Sequence, residues 1–193
     1  MITEDKIREV ALRSFTLKGF RGTSLADISS EVGIKKQSIY HYFKSKDDLF
    51  ISMFLQAAQN ELLFVKNYLL REEIYFLEDL LYGFLVSYKQ RYEEEEDTKF
   101  FFKFSFFPPE HLLNILVEYS GQYLKQIALL LEDVFEKGES TGQISKEVSV
   151  KHASSAFEAV MDAMFVEMLY NGLESSIRRL DASWYVYWRG VKS

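Results

Sequence analysis

A chain of 193 residues, 48% hydrophobic and 27% charged, is long enough for a small module plus a larger domain with its own core. It has no cysteine, which excludes disulfides, thiolate metal sites and thiol redox sensing. No apolar run reaches the ~20 residues that span a bilayer, and Met1-Ile2-Thr3-Glu4-Asp5 lacks the basic-then-apolar plan of a signal peptide, so a cytoplasmic location without a membrane partner is expected. The net charge of −6 is unevenly spread: residues 1–47 carry nine Lys/Arg against six Asp/Glu, net +3, whereas residues 48–193 carry 14 against 23, net −9. A basic N-terminal segment on an acidic chain fits a polyanionic partner bound through that segment, with an affinity that falls steeply as salt rises.

Within residues 19–46, Ser24 with Asp27 three positions on predicts a capping box at the start of a helix. Leu25, Ile28 and Val32 then share one face at helical spacing, with Ser29 small where a second helix must approach. Gly33 predicts a left-handed helix end. A second short helix follows, with Ile34, Ile39 and Phe43 turned inward and Lys36, Gln37, Ser38, Tyr40, His41 and Tyr42 left for the outside or the flanks. Two such helices joined by a turn are the minimum device that braces one helix in the major groove of B-DNA. On that helix Lys36 is assigned to guanine acceptors and Gln37 to adenine, with Ser38 a weaker base contact. His41 reads as a surface or phosphate-side residue, because no second metal ligand lies at a suitable spacing.

The elements Gly19-Phe20, Thr23-Ser24, Ile39-Tyr40-His41-Tyr42-Phe43 and Ser45-Lys46 together resemble the N-terminal signature of the TetR family of bacterial transcriptional regulators. The resemblance implies an all-α protein with an N-terminal three-helix DNA-binding domain, 1–47, containing the helix-turn-helix, and a C-terminal helical ligand-binding and dimerisation domain, 48–193. It also implies that Tyr40 and Lys46 bind phosphate, helped by Thr23, Tyr42 and Lys44, which fix register without reading sequence. For Tyr40 and Tyr42 the competing expectation is packing beneath the recognition helix. Two positions depart from the family pattern. Lys35 stands where Ser or Thr commonly caps the recognition helix, and Ala26 stands where some relatives carry a side chain that reaches DNA.

Helical periodicity accounts for the rest of the chain. Ser45 and Asp48 repeat the capping spacing before a long helix reaching about residue 70. A second helix is expected over about 75–95, and a short aromatic one ends at Phe107 because Pro108 and Pro109 cannot continue it. Further helices are expected over about 110–137, closed by a turn region at Gly138 to Gly142, then over about 150–170 and 175–190. In the penultimate helix Phe157, Met161, Phe165 and Met168 occupy one side, and Ala156, Ala159, Val160, Ala163 and Tyr170 much of the other. A helix apolar on both sides must be covered on both. The same helix of a second subunit is the simplest cover, with Leu180, Trp184 and Trp188 of the last helix joining it, which predicts a two-fold homodimer on palindromic double-stranded DNA.

Six phenylalanines, Phe100, Phe101, Phe102, Phe104, Phe106 and Phe107, crowd a segment too short to hide them on one helical face. The resemblance implies a small-molecule pocket among these middle helices, with Phe64, Tyr68, Phe84, Tyr88, Phe102, Phe106, Tyr123, Phe157, Met161 and Asp162 as candidate lining. The competing expectation is that the rings fill the core. As a set they fit an apolar or aromatic ligand, since no Gly-rich phosphate cradle accompanies them. Glu158 and Asp162, four residues apart, could meet a cation or make interface hydrogen bonds. No cofactor and no metal is expected. An enzyme is disfavoured, because His41, His111 and His152 have no nucleophile partner or ligand spacing. The sequence thus predicts a repressor released by a small apolar molecule, or alternatively a DNA-bound protein of the same fold that recruits a protein partner without a small ligand.

Overall fold

The computed structural model describes residues 4–71 and 74–193, with backbone alone for 171–176. Among the described residues the regular structure is helical, apart from one isolated antiparallel bridge between Ile144 and Lys192, as the all-α expectation requires. In chain order the elements are α1 (Glu4–Lys18), α2 (Leu25–Val32), α3 (Lys36–Ile39), α4 (Lys46–Leu69), α5 (Leu77–Glu94), α6 (Glu96–Phe106), a single 3-10 turn (Glu110–Leu112), α7 (Leu113–Ser140) and α8 (Val150–Val191). The chain packs as two compact units, one of Met1–Glu61 with Tyr92–Gly121 and one of Leu62–Arg91 with Gln122–Ser193. This packing division differs from the change of charge after residue 47.

The first unit is built on α1, whose Ile7, Val10, Ala11 and Phe15 recur at helical spacing and are buried. Its outer face carries Arg8 paired with Glu4 at 2.8 Å and Arg13 paired with Glu9 at 2.6 Å. Arg13 also reaches Glu31 of α2 at 3.2 Å. Against the inner face packs α6. Phe100 and Phe104 meet Phe50 at centroid distances of 5.2 and 4.8 Å, and Phe15 meets Phe50 edge-on at 5.0 Å. Lys103 of α6 donates to the Thr16 carbonyl at 2.7 Å, satisfying an end-of-helix acceptor of α1. The phenylalanine crowding is therefore largely resolved inside this unit: Phe100, Phe101, Phe102 and Phe104 are buried, and Phe106 and Phe107 are exposed.

In the second unit α5 buries Leu77, Leu80, Leu81, Phe84, Leu85 and Tyr88. Its first turn is capped from outside by Gln143, whose Oε1 accepts from the Leu77 amide at 2.7 Å. Gly138 was expected to open a turn, but α7 continues through it to Ser140, and the left-handed residue is Gly142, with φ 72°. Gly138 answers instead to packing, since a Cβ there would run into Leu77 Cδ2. Helical backbone continues from Val150 to Val191, where two separate helices were expected. Its halves nonetheless lie side by side. The Phe157 ring meets Trp184 at 6.3 Å and the Tyr187 hydroxyl donates to the Ala153 carbonyl at 2.8 Å, pairs that a straight helix would hold about 40 and about 50 Å apart.

Candidate nucleic-acid interface

The helix-turn-helix is assembled by bonds that its own sequence supplies. At the start of α2 the Asp27 amide donates to Ser24 Oγ at 3.1 Å, and the Ser24 amide donates back to Asp27 Oδ2 at 3.2 Å. This is the expected capping box. The Ser24 hydroxyl also donates to Asp27 at 2.7 Å and holds that carboxyl below the usual carboxylate range. At the other end Gly33 takes φ 80° and ψ 34°. The Ile34 amide donates to the Ser29 carbonyl at 2.9 Å and the Gly33 amide to Ser30 at 3.2 Å, the paired bonds that close a helix on a left-handed residue. Leu25, Ile28, Ser29 and Val32 are buried, so the bracing helix turns Ala26, Asp27, Ser30 and Glu31 outward.

The second helix is short. α3 spans Lys36–Ile39, and its N-cap Lys35 provides no side-chain hydrogen bond, the consequence expected from the missing Ser or Thr. Turns carry it on, with the Tyr42 and Phe43 amides both donating to the Ile39 carbonyl, at 2.9 and 3.0 Å. Ile39 and Phe43 are buried at 0% and 3% exposure, whereas Tyr40 and Tyr42 are 47% and 46% exposed. Neither tyrosine is a core ring. Lys36, Gln37, His41 and Lys44 are exposed and Ser38 is half-buried. The outward row therefore holds ammonium, amide, hydroxyl, imidazole and phenol groups, the donors and acceptors that base edges and phosphates accept. Among the described residues Lys35, Lys36 and Lys44 enter no ion pair, whereas Arg8 and Arg13 are spent on neighbouring glutamates.

Two residues assigned to phosphate sit differently. Thr23 is 2% exposed, and its hydroxyl donates to the Gly19 carbonyl at 2.9 Å. Lys46 Nζ donates to the carbonyls of Phe20 and Thr23, at 2.9 and 3.0 Å, and lies 4.0 Å from the centre of the Phe20 ring. The start of α4 just beyond is capped by Ser45, which accepts from the Asp48 amide at 3.0 Å, while Asp48 accepts from the Lys44 amide at 2.8 Å. Arg8 lies over the Phe43 ring at 4.9 Å and donates to Ser52 Oγ at 3.1 Å, holding the end of the reading segment to α4. Exposed cations beside the motif that were given no DNA contact from the sequence include Lys35 and Arg21. Arg21 stands 3.7 Å from an equally exposed Glu110, a pairing that contributes little in water.

The other candidate residues divide between the units. Phe64, Tyr68, Phe84, Tyr88, Tyr123, Phe157 and Met161 belong to the second unit, where Phe84 meets Tyr88 at 5.2 Å and Phe157 at 6.3 Å. The hydroxyls of Tyr88 and Tyr123 lie 2.6 Å apart. Phe102 and Phe106 belong to the first unit. Asp162 is exposed on α8, its carboxyl pushed upward by partial desolvation. Glu158 is also pushed upward, by desolvation first and then by Asp162 and Glu132. Of the expected interface residues, Ala156, Ala159, Ala163 and Tyr170 are exposed and Val160 is half-buried. Leu180, Trp184 and Trp188 are buried within their own unit, the two indoles stacked at 5.4 Å. Val166, Ile177 and Val186 are exposed instead. A groove of about 340 Å³ lined by Val160, Ala163, Val166 and Ser183 lies on this unit. Among the described residues no helix is long and apolar enough to cross a membrane.

Residues 7–53 match the family model for bacterial regulatory proteins of the tetR family. The chain is 32% identical over 94 residues, 46% of its length, to the biofilm operon icaADBC HTH-type negative transcriptional regulator IcaR of Staphylococcus epidermidis, of which the match covers 49%. It is 45% identical over 47 residues to IcaR of Staphylococcus aureus, 24% of this chain and 25% of that protein. The matches thus span about half the length of the first relative and a quarter of the second. Among solved structures, SmeT, the repressor of the Stenotrophomonas maltophilia multidrug efflux pump SmeDEF, aligns with TM-score 0.77 and 14% identity over 99% of this chain and 91% of that one. The regulator FadR of Bacillus subtilis, in complex with stearoyl-CoA, aligns with TM-score 0.73 and 15% identity over 96% and 97%. The capped helix-turn-helix and the motif match lead to one conclusion: residues 7–53 form a helix-turn-helix module of the tetR family of bacterial regulatory proteins, in a chain that shares its fold with the structures above.

Proposed function

We propose that the chain binds a palindromic operator in double-stranded DNA as a homodimer and represses transcription until an apolar or aromatic small molecule releases it. The observation that carries this is the reading segment, where Lys36 and Gln37 stand exposed on a short helix whose Ile39 is fully buried. One such helix covers only a few base pairs, so specificity needs two, held about 34–36 Å apart. The exposed alanines Ala156, Ala159 and Ala163 with Val166 and Tyr170 support α8 as the surface that joins the subunits. Repression follows the negative regulator IcaR and the repressor SmeT, and an apolar group on the ligand follows the stearoyl chain of the stearoyl-CoA in complex with FadR.

Selection of bound sequences from random DNA tests the first part, with a palindrome the expected product. Enrichment of an asymmetric site, or of none, overturns it. Mobility shifts across a lipophilic panel test release, where an effector that prefers the DNA-incompetent state by ~1–3 kcal/mol weakens binding about 5- to 150-fold. A second function, recruitment of a protein partner without a small ligand, is favoured by one observation: Phe84, Tyr88 and Phe157 are fully buried ring against ring. No response to the whole panel would support it.

A further inference from the structure

We infer that Lys46 serves DNA recognition as a positioning residue, its ammonium clasping the turn that enters α2 instead of neutralising a phosphate. The inference rests on the DNA-binding function proposed above. Lys46 opens α4 directly after the reading segment, and Phe20 and Thr23 lie in the turn that ends at the Ser24 cap of α2. The bond to the Phe20 carbonyl bridges 26 positions. Both helices of the motif lie between those positions, so one side chain closes the loop that contains the whole reading device.

The ammonium is occupied on several sides. It has three N–H donors, of which two go to the Phe20 and Thr23 carbonyls at 2.9 and 3.0 Å, while the Phe20 ring lies 4.0 Å away. Both carbonyls lie outside any helix; the Phe20 carbonyl also accepts from the Thr23 amide, at 3.4 Å, and the Lys46 ammonium supplies the second donor there and a donor to the Thr23 carbonyl. A ring face and two carbonyls replace much of the water that a phosphate-seeking ammonium would keep. Lys46 is accordingly half-buried, whereas Lys36 and Lys44 are exposed. The positive charge holds α2 to α4 and thereby sets the pitch at which Lys36 and Gln37 meet a base edge.

Arginine separates the two roles. Its planar fork binds phosphate at least as well as lysine does, yet cannot place a compact point charge between two carbonyls and a ring. Full-length Lys46→Met and Lys46→Arg are compared with the parent on the selected operator across a salt series. The clasp predicts that both lose about tenfold or more on every sequence, the equivalent of one charge-assisted hydrogen bond, with the salt slope unchanged. A phosphate-binding Lys46 predicts the opposite, with Arg retaining affinity and Met lowering the slope by about 0.9 for each phosphate left without its cation, and that result overturns the inference. A second measurement needs no DNA. In lysine-labelled NMR spectra the Lys46 ε-methylene should be shifted upfield by the Phe20 ring current, and coincidence with the exposed lysines overturns the clasp. A parent that binds no DNA yet shows the shifted resonance refutes the proposed function and leaves the clasp standing.

Discussion

In the proposed DNA recognition, individual side chains are expected to divide the labour. Lys36, exposed on α3, should read a base, so Lys36→Ala is expected to cost about 1–3 kcal/mol at one base pair in each half-site and little elsewhere. Binding to a set of singly substituted operators measures this. Lys44, exposed and without an ion pair among the described residues, should act on all sequences alike, and Lys44→Ala should reduce the salt slope by about 0.9 for each phosphate that the lysine neutralises. Ser24→Ala removes a cap and should destabilise the fold by about 1 kcal/mol in urea titration. The pH dependence of that loss has a sign. The Asp27 carboxyl is held low first by the Ser24 hydroxyl, then by the Ser24 amide and the charge of Lys18, against some desolvation. A lowered folded value stabilises above the unfolded value and the gain disappears as pH falls through the folded one. The difference between parent and Ser24→Ala should therefore shrink below about pH 4. Ser24, Asp27 and Gly33 were legible in the sequence because their partners lie within a few residues. Lys46 and Thr23 were not, because their partners are set by how α4 and the turn before α2 fold together.

At the level of helices, starts were easier to read than ends. The capping residues Ser24 and Ser45 placed α2 and α4, and Ser149, whose hydroxyl accepts from the His152 amide at 3.3 Å, places α8. The end of α7 was misplaced because a glycine can be selected for two unrelated reasons, a left-handed backbone or the absence of a Cβ. Gly33 is the first kind and Gly138 the second. Substitution tells them apart. Gly33→Ala must carry a side chain at φ 80° and should cost about 1–2 kcal/mol through backbone strain, a cost that no neighbouring truncation relieves. Gly138→Ala collides with Leu77 and should cost about 1–3 kcal/mol through overpacking, and adding Leu77→Ala should recover part of it beyond the sum of the single changes. Double-mutant cycles by denaturant unfolding measure both.

For the whole molecule, the assembly and the division into units matter most. Apolar periodicity announced that α8 has two apolar sides, but it could not assign Leu180, Trp184 and Trp188, because a tryptophan buried against its own subunit and one buried against a partner leave the same pattern. The structure places those three in the core of one chain. If α8 joins the subunits as proposed, Ala159→Glu, at an exposed position, should yield folded monomers in sedimentation that no longer bind a palindrome, while Trp184→Ala should lower unfolding stability by about 3–5 kcal/mol as a core truncation. The boundaries between the two compact units fall after Glu61, Arg91 and Gly121, which lie inside α4, α5 and α7. A protease that favours exposed loops is offered no seam at those points. A chimera joined at residue 47 would discard Phe50, Phe100 and Phe104 and strip the cover from Phe15, so exchanging the second unit between relatives requires carrying residues 92–121 along with residues 1–61.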